Sequence, residues 1–316
     1  MSNFDLPSDP RLLLSADLQP LQGKRFQPTG FPDVGAGVYT LPSGEEHLLV
    51  ESAQSVANRL ETACWDEATQ DLVAPLAGLP YVRVDDADGK FLTSSVLEAH
   101  RLNSVYVEKS AFFDELKKAI GFDEKKPPAR DKLVQALARY DIGCLLHGVF
   151  LESIAGVLRV PRALSGFIEA ERVGRVQTGG VKNDRVQPAK DAEGGKTAKE
   201  GFGNVPFHRT EFVADRTRAY FNLDLEQLRG YRLAVEVQRV LYALALFKVQ
   251  RFLATGLRLR TACDLEAGAI EVRGGAKLPS FDDVQKALPD LIAAAAKTGA
   301  FSTPAVTKTR YPKGKQ

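Results

Sequence analysis

The chain reads as an α+β protein on a βαββαβ, ferredoxin-like plan. Three observations predict it. Residues 11–21 alternate around Leu12, Leu14, Ala16 and Leu18, the period of a half-buried strand. Residues 48–61 pass from the apolar run Leu48-Leu49-Val50 straight into a helix. Residues 226–254 carry Leu233, Val237, Val240, Leu241, Leu244 and Phe247 at helical spacing, between strands expected on either side. Without insertions the order is strand, helix, strands, helix, strand, which places the helices on one face of an antiparallel sheet.

After the first strand, residues 22–32 form a loop rich in Gly and Pro that also holds Lys24, Arg25, Gln27, Phe26 and Phe31. Cations interleaved with aromatics suit single-stranded nucleic acid, since cations meet phosphates and rings stack on bases. A loop that tucks its aromatics into the core reads equally well. Residues 38–41 and 47–50 make a hairpin turning at Pro42-Ser43-Gly44-Glu45. In the helix that follows, Ser52 is the N-cap, and Glu51 suits the positive helix end. Ala53, Val56, Ala57, Leu60 and Cys64 form its narrow apolar face. Gln54, Ser55, Asn58 and Arg59 form a polar face of amides, hydroxyl and guanidinium, groups that hold a phosphate backbone beside a helix N-terminus. A plain solvated face is the alternative.

Residues 81–84 and 90–93 form a second hairpin, and helical segments follow at 95–107, 111–120 and 130–140. The block 66–140 thus reads as an insertion. The apolar run 142–151 (IGCLLHGVFL) is expected as a central strand with His147 as a core histidine, and 161–170 as the next strand. Gly166 there marks a bulge or a close backbone approach. Residues 174–203 hold many glycines, few large apolar residues and the cations Arg175, Lys182 and Arg185. Such a segment builds no core of its own and reads as a long loop or protruding hairpin. Within it, Gly194-Gly195-Lys196-Thr197 is not a phosphate-binding loop, because Lys190 stands where the first glycine is needed and no strand precedes it. Residues 207–225 return to strand, with Arg209, Arg216 and Arg218 among Phe212, Tyr220 and Phe221. Strands at 257–265 and 269–273, a closing helix at 281–297 and a basic, disordered tail from Lys308 complete the chain.

Composition bounds the function. The chain has 316 residues, 44% of them hydrophobic and 26% charged, an ordinary globular balance. Its net charge of +2 gives no global basic field, so local clustering has to carry any nucleic-acid site. The 3 cysteines are far apart, which suits a reducing cytoplasm rather than a disulfide framework. The start of the chain has no signal-peptide pattern, and the longest apolar run, 240–247, is too short to span a bilayer. His47, His100, His147 and His208 are scattered, with no metal-ligand spacing and no evident nucleophile set. No cofactor and no catalytic or metal-binding residue is expected.

RNA-recognition modules use the βαββαβ plan and present the open sheet face to single strands. Their aromatic signature is absent here. Three blocks instead resemble the backbone subunit of CRISPR effector complexes, closest to the type I-G (formerly I-U) version within the RAMP superfamily. They are 18–32 (LQPLQGKRFQPTGFP), 48–61 (LLVESAQSVANRLE) and 147–170, ending RVPRALSGFIEA. The resemblance implies a modified RNA-recognition fold drawn as a hand: palm at 1–65, finger-like insertion at 66–140, palm strands at 141–173, thumb loop at 174–203, the rest of the palm at 204–300 and a basic tail at 301–316. It implies a non-catalytic subunit that stacks head to tail with copies of itself along a guide RNA (crRNA), joins other effector-complex subunits and presents the guide to target DNA in antiviral defence. Lys24, Arg25 and Gln27 would hold backbone or bases, Ser52, Gln54, Asn58 and Arg59 phosphates, and Arg162, Arg172, Arg175, Lys182 and Arg185 would line the groove and thumb base. Two alternatives stay open: a ribonuclease like the type III relatives, using Asp184 or Asp191, and a protein-interaction module without RNA.

Overall fold

The computed structural model describes residues 4–31, 34–123, 129–154, 156, 158–182, 205–275 and 277–312. The centre is an eight-stranded sheet in the order Arg258–Arg260, Cys263–Val272, Arg11–Pro20, Arg216–Asp224, Leu164–Glu171, Glu46–Glu51, Gly35–Thr40, Gly30–Phe31. Neighbouring strands in it are antiparallel. Arg11–Pro20 keeps the alternation of its sequence: Leu12, Leu14 and Ala16 are buried opposite Leu223, Phe221 and Ala219. Gly166 makes the expected close approach, since a Cβ there would lie 2.6 Å from Phe221 Cδ1.

Helix Ala53–Thr62 packs on Leu164–Glu171 and against the long helix Val235–Thr255. Its buried residues are the small apolar ones the spacing predicts, Val56, Ala57 and Leu60, together with Glu61. The long helix is itself covered by Phe281–Lys297 and by Cys263–Val272. That explains why its apolar residues spill beyond one stripe.

Several expectations are corrected. The run 142–151 is not a central strand. Asp141 Oδ1 accepts from the Gly143 N–H at 2.9 Å and opens a short helix, Gly143–His147, buried from Cys144 to His147. Gly148, at φ 78°, then turns the chain into Val149–Leu151, which pairs with Leu158–Val160 outside the main sheet. An apolar run buried all round has no period that separates strand from helix. The stretch 207–225 is two strands, Val205–Val213 and Arg216–Asp224. The helix 226–254 is also two, Leu225–Gly230 and Val235–Thr255, broken at Arg232 with φ 53°. The segment read as a free tail from Lys308 supplies the strand Val306–Arg310, parallel to Tyr81–Asp85, which pairs with Phe91–Ser94. The end of the chain therefore stitches the inserted region to the rest.

The strands Leu164–Glu171 and Arg216–Asp224, neighbours at the centre of the sheet, continue past its edge. After Arg172 and Val173 the first becomes Gly174–Lys182, which pairs with Val205–Val213, and the second returns from it through Ala214 and Asp215. A two-stranded hairpin thus protrudes from the sheet. Arg185, Asp184 and Asp191 lie outside the described residues.

Candidate nucleic-acid interface

The polar face of helix Ala53–Thr62 is split into two stripes. Residues four apart share a stripe, so Ser55 with Arg59 and Gln54 with Asn58 point to different neighbours. Ser55 and Arg59 are taken up by Glu51, which is 1% exposed. The Glu51 carboxylate accepts from Arg59 at 2.8 Å, from Thr29 Oγ1 at 2.8 Å and from Ser55 Oγ. Arg59 also donates to the Leu259 carbonyl at 2.8 Å. A buried carboxylate needs such donors, and here they join the loop, the helix and the hairpin 258–272. Ser52 caps the helix by accepting from the Ser55 N–H at 3.3 Å. Ser52 and Arg59, expected on phosphates, therefore serve the fold.

On the Arg59 side lies a cleft of about 800 Å³ between the segments 27–30 and 34–36, the base of the hairpin and Arg260. Gln27, Arg175, Arg209 and Arg260 line it. The loop is fastened to the hairpin by the reciprocal bonds Phe26 N–H to Phe212 O, 2.9 Å, and Phe212 N–H to Phe26 O, 2.8 Å. Phe26 is 2% exposed, so that ring is in the core rather than set out for stacking. The cations are held but not neutralised. Glu211, 5% exposed, is shared between Arg25 at 3.2 Å and Arg209 at 2.7 Å. Arg175 meets Glu46 at 2.8 Å, and Arg260 donates to the Pro28 carbonyl at 2.7 Å. Lys24 is exposed and has no partner among the described residues. Arg172, on the outer side of the hairpin base, pairs with Asp215 at 2.7 Å and with Glu45 at 3.9 Å. Lys182 ends the described part of its strand.

On the Gln54 side lies a second cleft, about 860 Å³, between the helix and the inserted region. Gln54, Asn58 and Arg162 line it with His147 and Asn103. Arg162 donates to the carbonyls of Ala53 at 3.0 Å and His147 at 3.2 Å. Burial first, and the Arg101 charge second, hold it below the usual arginine range. Behind this cleft is a buried ionic group. Arg101 donates to both oxygens of Glu61, one at 2.8 Å. Lys248 Nζ stands 2.9 Å from His147 Nε2. Burial pushes the Glu61 and Asp141 carboxyls up, against the pull of the cations beside them.

The open face of the sheet is the surface an RNA-recognition module would use, and it differs from both clefts. Phe167 stacks on Tyr220 with ring centroids 5.1 Å apart. Arg216 is bound by Asp17 at 2.8 Å, and Arg218 by Asp17 at 3.4 Å and by Glu271. Arg216 and Arg218 are answered by carboxylates of the same face, while Arg273 lines the pocket beside Phe167 and Tyr220 with no side-chain partner among the described residues.

The structure thus gathers Gln27 and Arg175 at one cleft, with Arg25 linked to it through Glu211, and Gln54, Asn58 and Arg162 at another. Sequence reasoning missed Arg260, the Glu51 hub, and Arg209 as a member of the first cleft. The only trace of Arg209 was its place among the aromatics of its strand.

An α+β chain whose central sheet extends into a cation-lined hairpin is the class these features define. Residues 12–175, more than half of the chain, match the model of the family described as CRISPR-associated protein GSU0053, and the chain belongs to that family. All three resembling blocks lie inside the matched stretch. No curated protein matches. Among solved structures the chain is similar to one titled CRISPR RNA-guided surveillance complex, pre-nicking, at 15% identity and TM-score 0.41, covering 91% of this chain and 88% of that one. It is also similar to Csc2 of Thermofilum pendens, at 11% identity and TM-score 0.32, covering 91% and 78%. A second CRISPR RNA-guided surveillance complex chain is similar at 12% identity and TM-score 0.32, covering 96% of each.

Proposed function

We propose that the chain is a non-catalytic backbone subunit of a Cascade-like CRISPR interference complex. It would bind guide RNA in the hairpin-base cleft, stack with copies of itself along the RNA, and present the guide to target DNA. The observation that carries this reading is the cleft itself: Arg175, Arg209 and Arg260 line it with Gln27, and Arg25 stands behind it on Glu211, the carboxylate that also holds Arg209. A single strand bound by such cations needs no base-specific contact. The family supports the CRISPR setting. The inner strand order Cys263–Val272, Arg11–Pro20, Arg216–Asp224, Leu164–Glu171 supports reading the sheet as a palm, and the paired strands Gly174–Lys182 and Val205–Val213 would form the base of a thumb. Among the described residues no group of three His, Cys, Asp or Glu comes together to hold a metal. No helix among them is long and apolar enough to cross a membrane.

The test is to purify the chain with a long single-stranded RNA, and measure the absorbance ratio and mass of the particle. The expected outcome is a salt-sensitive particle with regularly spaced copies. A chain that binds no RNA supports the protein-interaction module. Cleavage of RNA with magnesium, lost in Asp184→Ala or Asp191→Ala, supports the ribonuclease.

A further inference from the structure

The central sheet ends on one side in an edge that is largely unpaired. Cys263–Val272 pairs with Arg11–Pro20 on one side, whereas on the other Arg258–Arg260 reaches only Cys263 and Asp264. The ladder fixes which groups face the open side. The Arg273 N–H donates inward to the Leu13 carbonyl at 3.0 Å. Peptide groups alternate along an antiparallel strand, so both groups of Ile270 and the N–H of Val272 face outward. Toward the start of the strand, the Leu265 N–H donates outward to the Leu257 carbonyl at 3.1 Å, and by the same alternation the Ala267 groups are turned outward too. On that side the Ile270 and Ala267 peptide groups have no backbone partner among the described residues. Exposed edges are commonly blunted by lysine or proline. Cys263–Val272 contains neither, and its blunting device is the bulge between Ala267 and Ile270.

Beside this edge runs a groove of about 780 Å³, between the strand, the end of the long helix Val235–Thr255 and the segment 277–281. Its lining is largely apolar, with Ala267, Ile270 and Val272 of the strand facing Leu253, Leu278 and Phe281. The acids of the strand are already engaged: Glu266 accepts from Gln19 Nε2 at 2.6 Å, and Glu271 meets Arg218. Arg273 and Lys277, just past the end of the strand, are exposed and have no side-chain partner among the described residues. Free main-chain donors and acceptors above an apolar groove, with unmatched cations at one end, fit an extended polypeptide that is apolar at alternate positions and acidic at one end.

We propose that this edge is a docking site for another protein, which adds an extended segment to the sheet as a further antiparallel strand. Main-chain bonds to Ala267, Ile270 and Val272 hold the segment. Its residues opposite Ile270 and Val272 carry their side chains on the same face as those two, so apolar residues at alternate positions enter the groove. Running antiparallel, the segment begins beside Arg273 and Lys277, and acidic residues at its N-terminal end match them. The proposal does not depend on RNA binding, and the groove shares no lining residue with the hairpin-base cleft.

The probe is a synthetic heptapeptide, two glutamates followed by Val-Thr-Val-Thr-Val, labelled with a fluorophore and titrated with the full chain by anisotropy. N-methylation of its valines should weaken binding about tenfold or more, because their N–H groups are the ones turned to the strand. N-methylation of its threonines should leave binding in place, because theirs face solvent. Ile270→Pro removes an outward donor and spares the ladder to Arg11–Pro20, a position where an edge strand tolerates proline. The variant should keep its melting temperature and lose the peptide. If Ile270→Pro fails to fold, the two methylated peptides carry the test on the unaltered chain. No binding, or binding that responds equally to both methylations, overturns the proposal. A dimer of the chain alone, abolished by Ile270→Pro, assigns the edge to a second copy and overturns the partner named here. A chain that binds the heptapeptide as expected but binds no RNA overturns the proposed function alone.

Discussion

The two clefts flanking helix Ala53–Thr62 are built in opposite ways. The hairpin-base cleft is walled by arginines at partly exposed positions, each matched by a carboxylate or a carbonyl. The other cleft rests on buried polar groups, the Glu61–Arg101 ion pair and the hydrogen bond between Lys248 and a His147 that burial keeps neutral. Surface ion pairs contribute little to stability and much to electrostatic attraction. Buried pairs tie elements together, because removing one partner strands the other. The first cleft is therefore expected to tolerate mutation of its cations and lose binding, while the second loses its fold.

The strongest way to break that contrast is Arg101→Met. It leaves Glu61 buried without its partner, and stability should fall by about 3–5 kcal/mol, read from urea unfolding. A loss no larger than that of Arg175→Ala, for which less than about 1 kcal/mol is expected, would erase the distinction. Phe26→Ala should behave like a core change, costing about 3–5 kcal/mol, with the salt dependence of RNA binding unchanged in the folded protein. Were the ring a stacking platform, affinity would fall and stability would not.

The next test addresses the exposed side. Arg25→Ala and Arg175→Ala should each weaken RNA binding and flatten the plot of log affinity against log salt. On a single strand the slope should change by about 0.7 for each phosphate that the variant no longer neutralises. Titrations at two salt concentrations read both quantities. Unchanged slopes in both variants would remove this cleft from the site. Shortening the hairpin by joining Gln177 to Thr210, which face each other in the ladder, through Asn-Gly should leave the melting temperature nearly unchanged. It should abolish RNA-dependent multimers seen by sedimentation. A cooperative loss of folding would show that the hairpin belongs to the core.

The smallest expected effect is of pH. Burial and Lys248 depress His147 in the folded state, so the unfolded chain binds a proton that the folded chain refuses. Stability from this residue is fully present above about 6.5, the ordinary value for histidine, and declines as pH falls from there toward the lowered folded value. Glu61 and Asp141, held up by burial, act in the opposite sense, with stability lost as pH rises through their folded values. The difference between wild type and His147→Gln isolates the histidine: on acidification from neutral pH to about one unit below the ordinary histidine value, wild type should lose melting temperature faster than the variant. Parallel curves would place a charged His147 in the fold.

Much of this was legible along the chain because it depends on neighbours in sequence. The alternation at 11–20, the Ser52 cap, the small apolar face after it, the close approach at Gly166 and the closing helix Phe281–Lys297 all follow from local period and steric rules. The resembling blocks placed the chain in a CRISPR-associated setting, and the family match agrees. What local pattern did not carry was partner choice. Whether Arg59 meets a phosphate or Glu51, whether Phe26 stacks or is buried, and whether IGCLLH is strand or helix each depend on groups brought in from elsewhere. Those groups are Thr29 and Leu259 around Arg59, Phe212 across from Phe26, and Asp141 with the long helix behind His147. The strand at Val306–Arg310 is the plainest case: its residues look like a free basic tail until Tyr81–Asp85 offers an unpaired edge. Sequence by itself determined the periodic elements and the family. The tertiary structure decided which polar groups are left over for a ligand, because a side chain bonded inside the fold is no longer available outside it.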